Sequence, residues 1–169
     1  MTIAELNALG TAAAGEALTA VCGSPAWVSR MLARRPFADG QALLRDAEEC
    51  WRAIGSTAQR AVIDHHPRLG SATTAAPTSA RAQAWSRGEQ AQVQSSDEEG
   101  RAVLAAANAG YEARFGHPFV ICATGLSTAD IMHALHERLH NDDATEQGVT
   151  LEELRRVMRL RLLKLLAHD

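Results

Sequence analysis

At 169 residues and 18.1 kDa the chain has the length of one domain, and folding at this size removes roughly 70 % of the unfolded surface from water, so a core forms without staples. Hydrophobic residues at 46 % and charged residues at 22 % are ordinary globular values and exclude collagenous, wholly disordered and coiled-coil chains. A net charge of −3 and a pI of 6.2 provide no basic field of the kind that draws a protein to phosphate backbones, so no nucleic-acid partner is expected.

Apolar residues recur at intervals of three and four and only 4 % of the chain is aromatic, a pattern that predicts helices. Thr2 with Glu5 opens the first, as a hydroxyl N-cap with an acid three residues on. Ser24 before Pro25 opens another, because proline fits the first helical position, and that helix must stop before Pro36. Asp39 opens the next. In Gln41 to Ile54 the residues Leu43, Ala47, Cys50 and Ile54 share one stripe while Arg45, Glu48, Glu49 and Arg52 face elsewhere. Ser56 with Gln59 marks a further start, and this helix runs out at His66 because Pro67 disfavours αR in the residue before it. Gly70 to Pro77, rich in Ser, Thr and Ala, reads as a loop. Asp97 to Phe115 places Val103, Leu104, Ala107, Tyr111 and Phe115 on one face and closes at Gly116. His117 to Ala123, an apolar run opened by an X-Pro pair, reads as a short extended buried segment. Ser127 with Asp130 and Thr150 with Glu153 open the last two helices, the final one running from Leu151 to Leu166 with Leu154, Val157, Met158, Arg161, Leu162 and Leu165 along one side. The expected fold is an all-α, single-domain bundle of about eight helices over residues 1–169, with one extended segment near 117–123.

Cys22, Cys50 and Cys122 form an odd, widely spaced set without a CxxC pair, so reduced thiols are expected. Cys122 lies in an apolar segment that raises its pKa and makes it a weak nucleophile. No basic n-region precedes an apolar stretch at the N-terminus and no apolar run approaches the roughly 20 residues of a membrane span, so a cytoplasmic protein without a membrane partner is expected. GxSxG, P-loop and GxGxxG patterns are absent.

Four features bear on chemistry. His66, just before Pro67, sits where the carbonyl ends of a helix stabilise an imidazolium by typically 0.3 to 1 kcal/mol, which suits a general acid; the plain alternative is a ring that only caps the last carbonyls. Trp85-Ser86-Arg87-Gly88-Glu89-Gln90 collects a hydroxyl, a carboxylate and an amide, and Glu89 with Gln90 matches a ligand edge that alternates N–H and C=O groups; the alternative is a solvated helix end. Arg161, among leucines, either anchors an anionic ligand bidentately or pairs with a carboxylate of the protein. His133, His136 and His140 share one helix, but a catalytic zinc needs three aimed ligands and an open fourth place, so the trio reads as a polar face and no metal is expected.

The phrases His66-Pro67-Arg68-Leu69-Gly70, Trp85 to Gln90, Phe115 to Ala123, Arg138-Leu139-His140-Asn141 and Arg159-Leu160-Arg161-Leu162, in that order, resemble the OHCU decarboxylases. These enzymes act on 2-oxo-4-hydroxy-4-carboxy-5-ureidoimidazoline in the oxidative breakdown of urate. The resemblance implies an all-helical, usually homodimeric carboxy-lyase without cofactor or metal that releases CO2 and (S)-allantoin. It assigns proton transfer to His66, a pocket wall to Pro67, and the grip on the ring and ureido arm to Ser86, Glu89 and Gln90, with Arg87 and Gly88 in the same stretch. It places backbone contacts on Phe119, Val120, Ile121, Cys122 and Ala123, and a carboxylate anchor on Arg161. His65 stands where relatives often have alanine, so two adjacent imidazoles must be told apart, and the loop after Gly70 is less basic than in many relatives. The competing readings are a non-catalytic helical module that holds a ureide or purine-derived metabolite, and a metallohydrolase built on the three histidines.

Overall fold

In the computed structural model, which describes residues 1–69, 80–91 and 98–167, nine helices and no strand occur among the described residues. They are α1 (Ile3–Ala8), α2 (Thr11–Val21), α3 (Pro25–Ala33), α4 (Gly40–Ala53), α5 (Gly55–Asp64), α6 (Ala80–Glu89), α7 (Glu98–Phe115), α8 (Thr128–Arg138) and α9 (Asp143–Leu166). The expected loop at Gly70–Pro77 and the expected helix start at Asp97 lie outside the described residues.

Most predicted caps form. Thr2 and Glu5 make a reciprocal box at α1, Ser127 and Asp130 make another at α8, and Ser24 and Asp39 accept the first free N–H groups of α3 and α4. Two do not. The helix α5 begins at Gly55, and Gln59 turns back to donate to the Trp51 carbonyl at 2.9 Å. The final helix starts two turns before Thr150, capped by Asp142, because Thr150 is needed inside as a buried hydrogen-bonding group. A hydroxyl with an acid three residues on is therefore a cap signal only where its hydroxyl has no better partner.

Two hydrophobic clusters form. The larger gathers α1 to α5 and α9 around Trp27, Trp51, Met31 and Leu43, with the Trp27 indole N–H donating to the Ala47 carbonyl at 3.0 Å. The smaller joins Leu104 and Tyr111 of α7 to Ile131 and Leu135 of α8 and to Phe119 and Ala123 of the segment between them. On α9 all six expected core positions are buried. On α7 the expected face holds at Leu104 and Tyr111, but Val103 is 51 % exposed and Asn108 takes an inward place.

Segment 117–123 carries neither helix nor strand, as its X-Pro opening predicts. Gly116 ends α7 with φ at 69°, a left-handed turn that an L side chain adopts at a cost of about 1 kcal/mol even though a Cβ there meets nothing within 4 Å. Gly116→Ala is accordingly expected to lower Tm by roughly 2 to 4 °C in a thermal melt, and an unchanged Tm would show that the turn is not under this constraint.

Candidate active site

The helix α5 ends at Asp64, and the two histidines that follow part company. The His65 ring nitrogen Nδ1 donates to the Ala61 carbonyl at 2.7 Å, so His65 is the exposed cap. His66, whose N–H reaches the Ile63 carbonyl at 3.0 Å, turns inward and is half-buried. The loop that carries it is tied to α7: Arg68 holds Glu112 with both arms at 2.6 and 2.9 Å, and the Asn108 amide donates to the Leu69 carbonyl at 3.2 Å.

Along α6 the residues Ser86, Glu89 and Gln90 fall at i, i+3 and i+4 and so share a face, with Ser86 and Gln90 buried and joined at 3.4 Å. Arg87 and Gly88 fall on the solvent side of the same turn and line neither hollow described below. Segment 119–123 is braced from behind. Arg138 donates to the Val120 carbonyl at 2.7 Å and lies 4.5 Å over the Phe119 ring, while the Cys122 N–H donates to Glu153 at 2.8 Å. Val120 itself is fully buried in the core rather than at the hollow.

Two adjoining hollows result among the described residues. The smaller, about 10 Å³ and so roughly one water in capacity, is lined by His66, Leu69, Ser86, Glu89, Gln90, Phe119, Ile121, Cys122, Ala123, Thr124, Val157 and Leu160. The larger, about 560 Å³ and within the range of small-ligand sites, has Pro67, Gln83, Met158 and Arg161 in its wall. His66, Ser86 and Val157 line both, so the imidazole stands on the partition.

Arg161 reaches the partition from α9 but its fork is taken by the protein: Nε and Nη2 donate to the two Glu89 oxygens at 3.1 and 2.9 Å, and Lys164 adds a third bond at 3.1 Å. Both readings of Arg161 thus have a place, since it pairs with a carboxylate of the chain and also lines the larger cavity. Burial would raise the Glu89 pKa, but the hydrogen bonds and charges of Arg161 and Lys164 outweigh it and hold the carboxyl below its usual value.

The expectation of an imidazolium at His66 is corrected by this geometry. Desolvation, reinforced by the charge of Arg161 and only partly offset by Glu89, pushes the ring down to about 4, so it is neutral near pH 7. The ring that caps the helix end is that of His65, not that of His66. Burial raises the Cys122 thiol, with Glu153 adding to the effect, as its apolar setting predicts. His133, His136 and His140 are exposed, and among the described residues no group of three or more His, Cys, Asp or Glu is placed to hold a metal ion.

Several contributors to the site were not among the residues expected to form it. Leu69, Thr124, Val157 and Leu160 wall the smaller hollow, and Lys164 shares Glu89. Helical spacing contains part of this signal, because Glu153, Val157, Arg161 and Lys164 follow one another by three or four along the inward side of α9, with Leu160 beside Arg161. Arg138 carries the same mark as Arg161, an arginine on an apolar face with Ile131 and Leu135.

Fold and site together define an all-helical protein with a neutral imidazole, an acid–amide pair and a guanidinium around two adjoining hollows, the larger of small-ligand size. The OHCU decarboxylase family model matches residues 7–163. The chain is 34 % identical over 130 residues to the 2-oxo-4-hydroxy-4-carboxy-5-ureidoimidazoline decarboxylase of Amia calva, covering 76 % of this chain and 73 % of that protein. It is 29 % identical over 168 residues to the uric acid degradation bifunctional protein PucL of Bacillus subtilis (strain 168), covering 99 % of this chain and spanning 33 % of that longer protein. A crystal structure of OHCU decarboxylase in the presence of (S)-allantoin has the same fold, with a TM-score of 0.75 at 23 % identity over 90 % of this chain and 99 % of that one. The chain belongs to the OHCU decarboxylase family.

Proposed function

We propose that the protein decarboxylates 2-oxo-4-hydroxy-4-carboxy-5-ureidoimidazoline to (S)-allantoin and CO2 in urate breakdown. The observation that carries this reading is the meeting of His66, Ser86, Glu89 and Gln90 with segment 119–124 around one hollow, backed by Arg161. In this substrate the carbon that loses CO2 is bonded to a carbon doubly bonded to nitrogen, so the electron pair of the broken C–C bond flows into that C=N. The sink is in the substrate, and the protein's task is to orient and to move protons without a cofactor or metal.

A neutral imidazole suits a shuttle better than a standing acid. His66 accepts the proton of the 4-hydroxyl as that oxygen becomes a carbonyl, and the imidazolium so formed returns it to the carbon that bears the ureido group, while the ring nitrogen that received the electron pair takes up the one proton from water that loss of CO2 from a carboxylate consumes. The anionic substrate assists by offsetting the positive charge of Arg161 beside the ring. Ser86, Glu89 and Gln90 hold the ureido arm, the backbone of Phe119 and of Ile121 to Ala123 holds the ring, Pro67 limits its tilt, and Arg161 presents its positive charge to the scissile carboxylate. Delivery of the proton from one face gives one enantiomer. Residues 1–169 form one such domain in this reading, which on the family resemblance works as a homodimer in the cytoplasm.

The test is to generate the substrate from urate with the two upstream enzymes and to follow (S)-allantoin by circular dichroism. The signal is expected to grow faster with the protein than without it. Growth at the uncatalysed rate, with substrate bound intact, overturns the reading in favour of a binding module.

A further inference from the structure

Two cations meet one carboxylate at the partition. Arg161 and Lys164, three residues apart on α9, both bond Glu89, and Lys164 makes no other ion pair among the described residues. Among the described side chains that line the hollows, His66 is neutral and burial keeps the Cys22 and Cys122 thiols protonated. Glu153, the next carboxylate along this side of α9, is paired with Arg156 at 2.9 Å. Within the trio of described residues, one negative charge against two positive ones leaves a surplus of one.

The bonding pattern shows where the surplus is presented. Arg161 spends Nε and Nη2 on Glu89, while its Nη1 bonds no described residue and the side chain lines the cavity of about 560 Å³. An isolated Arg–Glu pair would meet a ligand as a neutral dipole. With a second cation on the carboxylate the trio meets it as a positive charge. Lys164 itself lines neither hollow, so it acts on a ligand only through Glu89 and Arg161.

We propose that Lys164 is a positioning residue for an anionic ligand: by sharing Glu89 it leaves the charge of Arg161 available to a ligand carboxylate, and it keeps Glu89 seated when that carboxylate draws on the guanidinium. The proposal rests on reading the hollows as the substrate site and deepens it by assigning the recognition of the substrate's charge to a residue that does not touch the substrate.

Binding separates this role from a structural one. The probes are N-carbamoylglycine, a ureido acid, and N-carbamoylglycinamide, its neutral twin, titrated by calorimetry at low ionic strength into the wild type, Lys164→Met and Lys164→Arg. Lys164→Met is expected to weaken the acid about tenfold and the amide less than about twofold, while Lys164→Arg binds the acid within about threefold of wild type. In turnover, Lys164→Met raises KM by a similar factor with kcat held within about threefold. Equal weakening of both probes, undiminished binding of the acid by Lys164→Met, or a wild type that does not prefer the acid overturns the proposal. A wild type that discriminates the probes but forms no allantoin overturns the decarboxylase reading and leaves the assignment of Lys164 standing.

Discussion

Replacing His66 by alanine is expected to lower kcat by about 100- to 10,000-fold, the range associated with loss of a positioned proton-transfer group, whereas His65→Ala stays within about threefold of wild type. The contrast follows from the turn between the two rings. The exposed His65 spends its Nδ1 on the Ala61 carbonyl, and His66 stands in the wall of both hollows. The pH profile adds a second check. Because the neutral ring is the active form and desolvation holds it down to about 4, kcat/KM of the free enzyme keeps its plateau through pH 6.5 and declines only near 4. An acid limb at 6.5 would refute the neutral-base role, and a loss of activity in His65→Ala with His66→Ala unimpaired would transfer the role to His65.

Glu146→Ala is expected to be the most destabilising single change, at about 3 to 5 kcal/mol, because it strands a buried arginine. Glu146 is wholly buried and accepts from Arg138 Nε at 2.8 Å, from the Asn141 amide at 2.8 Å and from the Tyr111 hydroxyl. Thr150 accepts a further Arg138 bond at 3.0 Å. A melt should show Tm lower by about 10 °C, and the double variant Arg138→Met with Glu146→Leu, which removes both charges, should recover part of the loss. A drop under about 2 °C for Glu146→Ala would mean that the arginine finds water. Burial alone would raise the Glu146 pKa, but Arg138, Tyr111 and Asn141 outweigh it and depress the value below the ordinary 4.5. The folded state therefore binds fewer protons than the unfolded one, so this contribution is complete above about 4.5 and fades as pH falls through the lower folded value. Glu146→Gln lacks it, and the stability gap between wild type and Glu146→Gln should narrow in acid.

How much of this was legible depended on the range of the interaction. Local chemistry could be read directly: Ser24, Asp39 and the Ser127–Asp130 pair cap because their partners lie within three residues, and Pro118 forces its neighbourhood open for the same reason. Ser86, Glu89 and Gln90 were visible as a polar trio on one turn, and Arg161 stood out by being charged among leucines. The protonation of His66 was not legible. Its place at the end of a helix suggested the charged form, but the outcome is set by desolvation and by Arg161, which is 95 positions away, and nothing beside His66 in the sequence ties the two together. Thr150 misled for a related reason, since its tertiary partners Arg138 and Tyr111 outcompete the cap that its own sequence offers.

A last consequence concerns the length of α9. Near its start Glu146 and Thr150 hold Arg138, which holds the carbonyl of Val120, and near its end Arg161 and Lys164 hold Glu89. The opposite walls of the site, contributed by stretches some thirty positions apart, are thereby gauged against a single ruler whose graduations are roughly 1.5 Å and 100° per residue. Inserting or deleting one residue between Thr150 and Arg161 would leave a sound helix yet swing the guanidinium a quarter-turn off its carboxylate. This stretch is calibrated by count as much as by chemistry, and it can accept new side chains on its outer face far more readily than a change of register.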